Sequence, residues 1–209
     1  MYPSKTPPER YADGLIHAIS LVGLLIAFTF LLPRAAATGE GAVLIATVIY
    51  AVAALFSLCI SSAYHLAPWH DLRPTLRQWD HAAIYPVIAG VFSPLLITAG
   101  TASAYAILSV IWILTLFGVW FKLSGDNGDS RWSLISYLGL GAFALIALPD
   151  FWAELPRAST WAILAGAVFY TIGTQFYRRK GMRYRYPIWH FFGSLGGASF
   201  FTAIWIALS

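Results

Sequence analysis

The chain has 209 residues, of which 59% are hydrophobic and only 11% charged, with a formal net charge of +4. A soluble domain carries about 25% charged residues, so this composition excludes a soluble enzyme, a disordered protein and a nucleic-acid-binding domain. It points instead to a membrane protein. Cys59 is the one cysteine, and one thiol builds neither a disulfide framework nor a cysteine-rich zinc site.

Residues 1–13 are polar, contain Pro3, Pro7 and Pro8, and read as a cytoplasmic tail. A cleaved signal peptide is not indicated, because the following apolar run is too long for an h-region and lacks a small-residue cleavage site. A bilayer core about 30 Å thick takes about 20 apolar residues per helix. Seven uncharged runs approach that length, at 14–32, 42–64, 81–99, 104–121, 132–149, 160–177 and 188–208. The fold class is therefore all-α, with residues 14–209 forming a single domain of seven transmembrane helices. Pro86 and Pro94 are expected to kink the third span. The fifth is short and holds Gly139 and Gly141. In the seventh, Gly193-x-x-x-Gly197, with Gly196 and Ala198 beside it, suits close helix approach.

Lysine and arginine set the orientation. Eleven lie on one side: Lys5, Arg10, Arg73, Arg77, Lys122, Arg131, Arg178, Arg179, Lys180, Arg183 and Arg185. Two, Arg34 and Arg157, lie on the other. The N-terminus is thus expected in the cytoplasm and the C-terminus outside. The run at 178–185, RRKGMRYR, anchors this topology and also suits anionic lipid headgroups.

Polar groups are costly in lipid, so their positions point to function. All five histidines, His17, His65, His70, His81 and His190, fall at or near cytoplasmic ends of spans. His70 lies in a loop and is given no role. Ser61-x-x-x-His65 puts two polar side chains on one helix face. Asp80-His81 opens the third span, and Tyr186-x-x-x-His190 opens the seventh. Neutral imidazole suits zinc, and a catalytic zinc uses three protein ligands and keeps one position for water. His65 and His190 with a third donor, from Asp80, His17 or His81, would suffice. Each residue also has a plainer use. An interfacial histidine can bond a carbonyl or headgroup, Asp80 can cap a helix, and Ser61 can bond back to its own helix.

Taken together, these motifs resemble the hemolysin III family, the bacterial branch of the progestin and adipoQ receptor (PAQR) proteins, within a superfamily that includes the alkaline ceramidases. Glu9, Asp13 and His17 are similar to its first-span E-x-x-x-N-x-x-x-H, with Asp13 in place of Asn. Ser61 to His65 is similar to its S-x-x-x-H. Asp80-His81-Ala82-Ala83-Ile84-Tyr85, then Ile88-Ala89-Gly90 and Pro94, resembles its third span. Lys122, Tyr170 to Gly173 with Tyr177, and Trp189-His190 resemble later segments. The resemblance implies seven helices, a cytoplasmic N-terminus and a zinc near the cytoplasmic face. Its ligands would be the second-span histidine, here His65, and an H-x-x-x-H in the seventh span. Here that motif keeps His190 but has Tyr186 where the family has its other histidine.

The expectation is a bacterial inner-membrane protein working in lipid homeostasis, with membrane lipids as partners. In the sharpest form it is a ceramidase-like zinc hydrolase of a lipid amide or ester. Asp80 would then serve as base or water-holder, and Ser61 would orient a ligand or bind the oxyanion. A non-enzymatic sensor is the alternative, slightly favoured by Tyr186. A cytolysin, as the family name implies, would need polar residues along the full depth of the membrane.

Overall fold

The computed structural model describes residues 2–124 and 131–209, side chains of 131–133 excepted. Among these residues all regular structure is helical. In chain order come α1 (Pro7–Ala37), α2 (Gly41–Leu66), α3 (Arg73–Ala82), α4 (Ile84–Ala99), α5 (Ala102–Leu123), α6 (Arg131–Ala144), α7 (Leu148–Glu154), α8 (Arg157–Tyr177) and α9 (Arg185–Ala207). Joined end to end, α3 with α4 and α6 with α7 make single passes. Six segments are long and apolar enough to cross a membrane: α1, α2, α3–α4, α5, residues 134–154 and α9. The seventh, α8, has 21 residues, about 30 Å at 1.5 Å per residue, although a polar first turn dilutes its apolar character. The chain is a polytopic, multi-pass membrane protein.

Proline chemistry explains where the passes bend. A helical proline removes one hydrogen bond and clashes with the carbonyl four residues back. For Pro86 that carbonyl belongs to Ala82, and the α3–α4 break falls at Ala83. For Pro149 it belongs to Leu145, and a 3-10 turn at Leu145–Ala147 separates α6 from α7. Gly139 and Gly141 lie inside α6 without interrupting it. Pro94 stays within α4, so Pro86 makes the break in the third pass.

Helix α1 starts at Pro7, well ahead of its apolar run. Pro7 and Pro8 suit a first turn, where backbone N–H groups need no helical partner. Glu9 Oε2 accepts from the Thr6 backbone N–H at 2.9 Å and from its hydroxyl at 2.8 Å, which closes the helix start. The stretch before the third span is helical too, as α3. Arg73 holds it by donating to the carbonyls of Tyr64 and Ala67 and by contacting His70 Nδ1. The Arg131 side chain, counted on the cytoplasmic side from sequence, lies outside the described residues.

The first and last helices are parallel neighbours along their whole length. Tyr184 N–H donates to Glu9, His190 meets Asp13, Ser194 meets Ser20, and Arg34 reaches the Trp205 carbonyl. Those pairs are separated by 175, 177, 174 and 171 residues, a nearly constant offset that only parallel helices give. The two termini therefore lie at opposite ends of the bundle, as an odd number of passes requires. The central element is α3–α4: 67% of its apolar window is buried, against 17–33% in the other five segments. Helices α8 and α9 pack through small residues that receive aromatic rings. A Cβ on Gly166 would lie 2.7 Å from the Phe200 ring, and one on Gly196 would lie 2.7 Å from Tyr170. Gly193 and Gly197 are looser, with their nearest neighbours at 3.9 Å. Gly196, more than the Gly193/Gly197 pair, sets this approach.

Candidate metal centre at the cytoplasmic end

Three helices each turn one polar stripe toward a common axis. On α1 the stripe is Glu9, Asp13, His17 and Ser20, spaced by four, four and three residues, which is the helical period. On α2 it is Ser61 and His65. On α9 it is His190 and Ser194. The parallel pairing of α1 and α9 brings their stripes level, and the C-terminal end of α2 meets them there.

Asp13 is the hub. Its side chain is fully buried (0% exposed), beside His17 at 3%, His65 at 2% and His190 at 14%. Asp13 Oδ1 lies 2.6 Å from His190 Nδ1, and Oδ2 lies 2.9 Å from His65 Nδ1. Ser4 Oγ donates to Oδ2 at 2.9 Å. The backbone carbonyl of residue 13 faces His17 Nδ1 at 2.8 Å. One residue thus holds three imidazoles. The three rings also touch each other, with centres 4.3 Å apart for His17–His190, 4.5 Å for His65–His190 and 5.6 Å for His17–His65.

Ser61 and Asp80 border the cluster. Ser61 Oγ lies 3.3 Å from His17 Nε2. Asp80 is hydrogen-bonded to Ser61 and close enough to His190 to interact with it electrostatically. Tyr186 packs edge-on against His65, with ring centres 4.9 Å apart, and the Arg185 guanidinium lies 4.3 Å from the Tyr186 ring centre. The position the family resemblance assigns to an imidazole is therefore filled by aromatic packing on another imidazole.

The structure brings together His65, His190, His17, Ser61, Asp80 and Tyr186, all singled out from sequence. It does not bring in His81. Residues 80 and 81 are adjacent on one helix and so about 100° apart; His81 Nε2 turns toward Tyr177 Oη at 3.3 Å, while Asp80 turns toward Ser61. His70 stands in the loop beside Arg73 and the Tyr2 ring. The residue sequence reasoning left without a role is Asp13, read only as a stand-in for asparagine. Its signal was available. The 9–13–17–20 stripe is helical and points the helix start, with its acid, into the site.

The donor set fits a metal. Asp13, His65 and His190 offer ligand atoms within 4.8 Å of one another and could hold an ion. Neutral imidazoles with a carboxylate suit zinc and its neighbours better than magnesium or calcium, which prefer all-oxygen shells. Burial under three helices also supplies the dry surroundings in which such a site gains strength.

A family model described as haemolysin-III related matches residues 9–201. The chain is 29% identical over 201 residues to a hemolysin-3 homolog of Bacillus subtilis (strain 168), covering 95% of this chain and 94% of that one. It is 27% identical over 197 residues to a hemolysin-3 of Bacillus cereus, covering 94% of this chain and 90% of that one.

Proposed function

The chain belongs to the haemolysin-III-related family, and we propose that it is a zinc-dependent hydrolase of a lipid amide or ester, working in lipid homeostasis of the bacterial inner membrane. The observation that carries this reading is the gathering of three imidazoles around the buried Asp13 carboxylate, with Asp80 bordering the cluster through Ser61. A zinc bound there would lower the pKa of a water to about 7 and polarise a carbonyl.

The residues divide the work by position. Asp13 fixes the imidazole rings through their Nδ1 edges. Asp80 stands across the cluster, within reach of Ser61, where a carboxylate can take a proton from an attacking water. The Ser61 hydroxyl can donate to an oxygen that gains negative charge. The acyl chains of a substrate would lie along the helices, with the polar bond at the level of Ser61. Lys180, Arg183 and Arg185 beside this end suit the anionic surface of the inner leaflet.

Among the described residues, every buried Asp, Glu, His, Lys or Arg sits at this end: Glu9, Asp13, His17, His65, Arg73, His81 and Lys122. That clustering favours a single reaction or binding site over a standing aqueous pore, which needs polar groups along its full depth. A membrane sensor is the second reading, favoured by the Tyr186 ring that closes off the family's ligand position against His65.

The test combines metal analysis and turnover. Detergent-purified protein should contain about one zinc per chain, as a single-metal hydrolase does, and release fatty acid from an amide- or ester-linked lipid in mixed micelles. A His65→Ala/His190→Ala variant should lose both. Folded protein that takes up no zinc when offered it would end the hydrolase reading, as would a double variant with undiminished turnover.

A further inference from the structure

We infer that this chain binds its metal through the Nε2 nitrogens of His17, His65 and His190, and that Asp13 aims these rings without being a ligand itself. The inference rests on the metal reading above and assigns the ligands within it.

The first argument is proton placement. An ionised carboxylate only accepts hydrogen bonds, and so does a backbone carbonyl. His65 and His190 both present Nδ1 to the Asp13 carboxylate, and His17 presents Nδ1 to the Asp13 carbonyl. All three neutral rings must therefore carry their proton on Nδ1. Each keeps its lone pair on Nε2. A histidine that ligates through one nitrogen while its other N–H is held by a carboxylate or carbonyl is the usual supported metal ligand.

The second argument is distance. Two atoms bound to one tetrahedral zinc at about 2.0–2.1 Å lie about 3.3 Å apart. The Asp13 Oδ1–His190 Nδ1 and Oδ2–His65 Nδ1 separations are 2.6 Å and 2.9 Å. Those are hydrogen-bond lengths, too short for two ligands sharing an ion. The ring centres, by contrast, suit a common ion. Three imidazoles on one tetrahedral zinc have centres about 5 Å apart, given the same bond length, and the observed separations are 4.3, 4.5 and 5.6 Å.

The third argument concerns His17. Its Nε2 faces Ser61 at 3.3 Å, but Ser61 has one hydroxyl proton and is also bonded to Asp80. A Ser61 proton directed to the Asp80 carboxylate leaves the His17 lone pair to serve a cation. Helix α1 thereby supplies the third imidazole that Tyr186 cannot.

X-ray absorption at the zinc edge, on full-length detergent-purified protein loaded with zinc alone, counts imidazoles directly. Wild type should show three. His17→Gln should show two, with zinc affinity reduced more than a hundredfold. Asp13→Asn restores the family's residue and should keep three imidazoles and one zinc, with affinity lowered about 10–100-fold, as expected for loss of an outer-shell partner. Monodisperse elution and a melting temperature for each variant separate loss of ligand from loss of fold. Should His17→Gln misfold, the wild-type imidazole count and the Asp13→Asn spectrum decide alone. Zinc bound with two imidazoles and a carboxylate, altered by Asp13→Asn, would overturn this inference and leave the hydrolase reading standing. Wild-type protein that takes up no zinc would overturn both.

Discussion

Helices α1 and α9 are tied by polar contacts at both ends, and the two ends differ in kind. At the outer end Arg34 donates to the Trp205 carbonyl at 3.0 Å and to Ser209 Oγ at 2.7 Å, and its guanidinium lies 4.3 Å from the Trp205 ring centre. At the cytoplasmic end the fully buried Asp13 carboxylate holds the buried His65 and the mostly buried His190. The outer tie is solvent-side and uses a cation with no lone pair to give. The inner tie is buried and leaves three Nε2 lone pairs uncommitted to it. The same helix pairing thus gives a latch at one end and a candidate metal centre at the other. What separates them is burial and residual donor capacity, not the number of hydrogen bonds.

That contrast can be broken or sharpened by substitution. The largest effect belongs to Asp13→Ala. Removing the Asp13 carboxylate leaves the His65 and His190 Nδ1–H groups without their partner, at about 1–3 kcal/mol each, so the melting temperature in detergent should fall steeply. A loss below about 1 kcal/mol, the scale of one ordinary hydrogen bond, would mean that the cluster does not organise the α1–α9 pairing.

Next comes the tie one turn deeper. The Ser20 and Ser194 hydroxyls lie 2.7 Å apart, and Ser194→Ala should cost about 1 kcal/mol with zinc content unchanged. Loss of zinc in that variant would extend the proposed site beyond the three rings. Ser4→Ala should be comparable, about 1 kcal/mol for one donor to Asp13, read as a small downward shift in melting temperature. The smallest effect is expected at the outer end. Arg34→Ala should change stability by less than about 1 kcal/mol, the scale of a solvent-side hydrogen bond or cation–π contact, and should leave zinc binding untouched. A large loss there would make the outer latch an equal partner in the fold.

Much of the molecule was legible in the chain. The apolar runs located the passes, because burial in lipid demands length and hydrophobicity whatever the neighbours are. Ser61 with His65, and His190 in the seventh span, stood out because buried polar groups need a reason. Helical order at both ends of the polar stretches was harder to read. Residues 7–13 and 73–80 are polar, so hydropathy passed over them, while capping by Glu9 and anchoring by Arg73 make them helical.

The choice among third donors was likewise not local. Asp80 and His81 are neighbours in sequence but leave α3 in different directions, and only the placement of α3 beside α2 and the end of α8 sends one to Ser61 and the other to Tyr177. Asp13 looked like a replaced asparagine until its carboxylate met two rings. The sequence by itself determined where the apolar passes run, since that follows from sums over neighbouring residues. Only the tertiary structure decided which histidines share a site, because that depends on helix faces more than 170 residues apart in the chain meeting at one level.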